Sequence, residues 1–199
     1  MTTLARRQGR PGHSLADYPP GDLAIWVFIL AELLAFGVLF AAYAITRLKN
    51  LDLFNEMQLT LDRDAGALNT FLLITGSWFV ARSVAAIKAD HRRASANFLL
   101  AGIASGFGFL TVKYFEYSAK FAAGINLDTN TFYMFYISLT MFHTLHVVLG
   151  MMILGFVWNK ARRGEYTARD HHGIETGASY WHMVDLVWII LFPLIYVMR

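Results

Sequence analysis

Apolar residues gather along this chain into five runs of about 20 or more, the length that crosses a hydrocarbon core of roughly 30 Å. They cover residues 23–45, 68–87, 97–121, 131–158 and 178–198. The pattern predicts an all-α integral membrane protein, a bundle of five transmembrane helices. The first run is longer than the core of a cleaved signal and no small-residue cleavage site follows it, so it is expected to stay as a helix.

Polar punctuation divides the runs. Pro19, Pro20 and Gly21 end a tail over residues 1–21 and offer Asp22 as an N-cap, leaving residues 22–199 as a single membrane domain. Asp128, Thr129 and Asn130 supply the same chemistry ahead of the fourth run, and Gly124 and Gly164 stand where helices commonly end on a left-handed residue. The longest connection, residues 49–66, carries Leu51, Phe54, Met57 and Leu61 at helical spacing among charges, which predicts a segment lying along the external interface. Gly102 and Gly106 form a small-xxx-small pair that marks a face packed against another helix.

Composition supports this assignment: 56% of residues are hydrophobic and the mean hydropathy is +0.43, too apolar for a water-soluble domain of this length. Basic residues orient the bundle. Arg6, Arg7, Arg10, Lys88, Arg92, Arg93, Lys160, Arg162, Arg163 and Arg169 fall on one side, whereas Arg47, Lys49, Arg63, Lys120 and Arg199 fall on the other. The positive-inside rule makes the richer side cytoplasmic, with the N-terminus inside and the C-terminus outside. Arg82 and Lys113 lie within runs, near the cytoplasmic and external ends, and are expected to snorkel to the headgroups. The net charge of +3 then reflects topology and attraction to anionic lipid, and no nucleic-acid partner is implied. The absence of cysteine excludes disulfides, thiolate metal sites and iron–sulfur clusters.

Ionisable side chains at membrane depth mark function or interhelical bonding. Glu32 lies about 14 Å along the first helix, and His143 about 18 Å along the fourth with His146 one turn further, so the three share a depth. Both imidazoles, at i and i+3, are expected to face one partner helix and its carboxyl. Such a cluster is either an interhelical hydrogen-bonded knot with a protonated Glu32, or a holder of a proton, a water or a metal. His182 and Asp185 repeat the spacing in the last helix, where the carboxylate is expected to hold the imidazole. His171, His172 and Glu175 form a cytoplasmic-side loop cluster just ahead of it. Glu116 is expected to sit in an intrahelical network with Lys113 and Lys120, while Tyr114, Tyr117 and Trp26 read as interface anchors. With seven histidines, few of them paired, the ligand supply for a di-iron or haem b site is short. A stand-alone membrane di-iron oxygenase is the alternative that Glu32, His143 and His146 keep open, and a transporter lacks its paired discontinuous helices.

Taken in order, the strings Ile29-Leu30-Ala31-Glu32-Leu33-Leu34-Ala35-Phe36, Leu68-Asn69-Thr70, Glu116-Tyr117, Phe142-His143-Thr144-Leu145-His146, His171-His172-Gly173-Ile174-Glu175 and Tyr180-Trp181-His182-Met183-Val184-Asp185 resemble subunit III of the haem-copper respiratory oxidases. The resemblance runs from about Gly21 to the end and is to five-helix versions, without the leading helix pair of seven-helix members. Thr144 stands where a glycine is common. It implies a non-redox component of a bacterial inner-membrane oxidase of the cytochrome c oxidase type, acting in the aerobic respiratory chain. Such a subunit packs against catalytic subunit I and with subunit II, stabilises the catalytic subunit and supports proton uptake. Haem and copper are then expected in the partners and none in this chain, with phospholipid as a further ligand. Phe132 to Tyr136 and the stretches 67–73 and 77–80 are also similar to the subunit III-like accessory proteins of nitric-oxide reductase systems.

Overall fold

Six helices account for nearly all of residues 23–198, the part of the chain that the computed structural model describes. They are α1 (Leu23–Lys49), α2 (Leu51–Gln58), α3 (Arg63–Lys88), α4 (Arg92–Ala122), α5 (Thr131–Arg162) and α6 (His172–Phe192), with a terminal π-turn over Pro193–Val197. All but α2 are long and apolar enough to span a membrane. The fold is therefore an all-helical membrane bundle. The basic tail residues, the Asp22 cap and Arg199 lie outside the described residues.

Helix ends follow local chemistry more than hydropathy. α3 begins five residues before its apolar run because Asp62 caps it, its carboxylate accepting from the backbone N–H of Asp64 and Ala65 at 3.0 Å each. Asn130 caps α5 through the N–H of Tyr133 at 2.9 Å. Gly124 and Gly164 both take φ +77°, and each closes a Schellman turn: Ile125 N–H donates to Lys120 O, and Glu165 N–H to Lys160 O. α3 ends the same way on Asp90, which takes φ 57° without being glycine.

α6 is the hub, packing on α1, α3, α5 and the π-turn, while α3 and α4 form the most extensive helix pair. Close approach depends on glycine there. A Cβ on Gly102 would come within 2.8 Å of Val80, and one on Gly106 within 2.9 Å of both Met151 and Trp181. α1 instead leans on α5 and α6 through one stripe, Ile29, Phe36 and Tyr43, and leaves Val27, Leu30, Leu34 and Val38 exposed.

The 49–66 connection departs from expectation. α2 folds inward: Phe54 is buried with its ring 5.4 Å from Tyr43 and 5.5 Å from Phe132, and Gln58 donates to Ile195 O at 2.6 Å. Burying Phe54 and Leu61, with Gln58 Nε2 bonded to Ile195 O, outweighs floating the segment on the interface even though Gln58 Oε1 has no partner among the described residues.

Candidate functional site

Among the described residues two polar knots tie the helices together, one partly buried at mid-depth and one fully buried toward the end of the bundle where α3 and α5 begin. At mid-depth, His146 Nε2 lies 2.9 Å from Glu32 Oε2, joining α5 to α1. Its Nδ1 lies 2.8 Å from Phe142 O, a carbonyl that can only accept, so Nδ1 carries a hydrogen. One proton is therefore shared across the Nε2···Oε2 contact. It rests either on the carboxyl of a neutral pair or on the imidazole of an ion pair. Phe36 and Phe142 close over the imidazole at ring distances of 5.1 and 4.6 Å, while the Glu32 side chain stays 20% exposed.

His143 does not join this pair. A helix turns about 100° per residue, so i and i+3 diverge by some 60°, enough for the two rings to reach different neighbours. His143 points at α6, its Nε2 donating to Val184 O at 3.0 Å, and it is wholly buried among Phe109, Phe36 and Trp188. The expected three-membered cluster is thus a pair plus a separate helix-to-helix bond.

The second knot centres on Lys113. The sequence reading sent this ammonium outward to the headgroups, but it is 1% exposed and points inward. Lys113 Nζ donates to Glu116 Oε2 at 2.9 Å and to Tyr196 OH at 2.8 Å, and four rings, Tyr117, Tyr136, Trp188 and Tyr196, surround it at 5.2–5.6 Å. Tyr136 and Tyr196 donate to the other oxygen, Glu116 Oε1, at 2.5 and 2.6 Å. An inward path wins because a full set of partners waits there, whereas snorkelling would leave Glu116 buried with two phenols alone. Lys120, the expected third member, turns away to Thr60 O at 2.8 Å. Tyr117 is buried with its hydroxyl on Thr140 Oγ1 at 2.8 Å, so it is a core residue and not an interface anchor; Tyr114 is exposed.

In the last helix, His182 and Asp185 do not bond each other. Ser77 of α3 takes His182 Nδ1 at 2.5 Å, and Asp185 Oδ1 has no hydrogen-bond partner among the described residues. A nearer hydroxyl on the adjoining helix displaced the expected intrahelical pairing. His172 and Glu175 belong to the first turn of α6 and not to a loop, because His171 O accepts from Ile174 N and Glu175 N and starts the helix early. Glu175 binds Lys88 at 2.8 Å and His171 at 3.4 Å, and the His171 and His172 rings stack at 6.4 Å. Among the described residues, no group of three or more His, Asp or Glu side chains is placed to hold a metal ion.

Other side chains complete the picture. Trp188 Nε1 donates to Thr70 Oγ1 at 2.9 Å, tying α6 to α3 beside the fully buried Asn69. Tyr136 and Tyr196, the phenols of the second knot, carried no sequence signal beyond aromatic content in apolar runs.

Both knots lie within residues 13–199, which match the family profile described as cytochrome c oxidase subunit III. The chain belongs to the cytochrome c oxidase subunit III family. It is 36% identical over 177 residues to cytochrome c oxidase subunit 3 of Thermostichus vulcanus, covering 88% of this chain and 86% of that protein. With cytochrome c oxidase subunit 3 of Synechocystis sp. it shares 32% over 192 residues, 94% of this chain and 81% of the relative. A haem-copper oxidase subunit I+III of Aeropyrum pernix is 32% identical over 179 residues, 87% of this chain and 22% of that longer protein. As a subunit III family member with five apolar helices, the chain is a multi-pass membrane component of a haem-copper oxidase.

Proposed function

We propose that this chain serves as the non-redox subunit III of a bacterial inner-membrane oxidase of the cytochrome c oxidase type, holding catalytic subunit I in its working state and supporting proton uptake. Subunit II completes the complex, and haem and copper reside in the partners. The observation that carries the reading is the Aeropyrum relative, in which subunits I and III share one polypeptide. Such fusion is consistent with two units that work side by side.

The interior chemistry agrees with a supporting role. Glu32 with His146, and Lys113 with Glu116, satisfy each other across helices and along them, as stabilising bonds do. The exposed apolar flank of α1, Val27, Leu30, Leu34 and Val38, is suited to a helical neighbour or to lipid.

Turnover of the complex with and without this subunit tests the proposal. Oxygen reduction that starts at a similar rate but decays faster without the chain is the expected result. Identical decay would refute the stabilising role, and purification with a nitric-oxide reductase instead would reassign the partner. Stoichiometric iron in the chain alone, with substrate oxidation, would revive the oxygenase reading.

A further inference from the structure

Between the start of α4 and the end of α5 lies a notch of about 410 Å³, lined by Arg92, Arg93, Ala96, Asn97 and, across from them, Ala161, Arg162, Arg163 and Gly164. Its floor is two buried alanines, whose small side chains leave the space, and its walls are four guanidinium groups on exposed residues. Of the four, Arg92 makes side-chain hydrogen bonds among the described residues: its Nε meets Asp90 Oδ1 at 3.1 Å, and its Nη1 reaches Gly164 O at 3.5 Å. Among the described residues, no carboxylate pairs with Arg93, Arg162 or Arg163.

Arg92 and Arg93 also stand at the wrong end of their helix. The first turn of α4 has no acidic residue and its N-cap, His91, makes no side-chain cap bond, so two cations sit against the positive end of the helix dipole. An anion in the notch relieves that repulsion and meets guanidinium forks suited to phosphate oxygens. Position decides its source. The notch is at the basic end of two membrane-spanning helices, and Arg162 lies 5.0 Å over the half-buried ring of Trp158, an arrangement characteristic of the headgroup layer.

We propose that this notch binds the phosphate headgroup of an acidic phospholipid from the leaflet at the basic end of the bundle. The phosphodiester is held by Arg93, Arg162 and Arg163, with Arg92 and Asn97 at its edge, and the acyl chains lie along the α4–α5 groove.

Native mass spectrometry of the protein, purified with whatever subunits accompany it and titrated with phosphatidylglycerol, tests this. The double variant Arg93→Gln with Arg162→Gln loses two charge-assisted contacts to the phosphate and should bind the lipid at least about thirtyfold more weakly. A control, Lys160→Gln with Arg169→Gln, makes the same change of charge on the same side outside the notch and should leave binding within about twofold. Thermal unfolding in neutral detergent, unchanged for both, shows that each variant is folded. Equal losses in the two double variants, or equal retention of phosphatidylethanolamine, would overturn the proposal. Inorganic phosphate that displaces the lipid at equal concentration would mean that the notch takes the free ion, and would overturn the lipid assignment.

Discussion

Replacing Lys113 by methionine removes an ammonium while keeping most of the volume of its stem, and so isolates the contribution of charge in the second knot. The variant loses two hydrogen bonds, to Glu116 at 2.9 Å and Tyr196 at 2.8 Å, together with the attraction of four rings. It leaves Glu116, itself 8% exposed, with only the phenols of Tyr136 and Tyr196. Breaking one side of a buried pair costs about 3–5 kcal/mol, chiefly through the stranded partner. Glu116→Gln strands the ammonium instead and should cost about as much. The double variant, with no net charge buried, should recover most of either loss, because the amide oxygen that replaces the carboxylate can still accept from both phenols. Unfolding in detergent with increasing SDS, followed by tryptophan fluorescence, measures all three. Trp188 lies 5.2 Å from Lys113 Nζ, so its emission reports the site directly. A Lys113→Met loss below about 1 kcal/mol, or a double variant as unstable as the sum of the singles, would refute the reasoning.

Three further expectations rest on other contacts. Gly106→Ala places a methyl within 2.9 Å of Met151 and Trp181, so it should destabilise by about 1–3 kcal/mol in the same assay, while Gly155→Ala, which meets nothing within 4 Å, should not. Thr70→Val strands Trp188 Nε1 and should cost about 1–3 kcal/mol; a neutral result would mean that the indole finds another acceptor. Glu32→Gln removes the group that shares a proton with His146, so infrared difference spectra should lose a protonated-carboxyl band if the pair is neutral. An ionised carboxylate band in its place assigns the proton to the imidazole and defeats the expected neutral Glu32.

What the sequence made legible was governed by local rules, and what it hid depended on distant partners. The number of spanning helices followed from run length, and the turns at Gly124 and Gly164 from glycine's tolerance of positive φ. Glu32 and His146 were brought to one depth by counting rise per residue, because both lie on uninterrupted helices that pack together. Lys113 went the other way. Nothing near it in sequence announces Tyr136 and Tyr196, which arrive from 23 and 83 residues downstream and turn an apparent snorkelling lysine into a caged one. His182 was misassigned for the same reason, its partner Ser77 lying on α3. The inward fold of α2 likewise depends on Phe54 finding Tyr43 and Phe132, and a run of alternating charge and apolar residues does not encode that docking. The arginine notch was half visible, as basic residues on one side; its shape needed the two alanines beneath them.

Purification from native membranes through a tag on this chain, with every accompanying polypeptide identified and haem and copper assayed before and after the chain is separated, tests the proposed role most directly. The expected result is co-purification with a haem-copper catalytic subunit that retains all the haem and copper, while the separated, folded chain holds none. A chain that emerges alone, or that keeps stoichiometric haem, iron or copper, would contradict it.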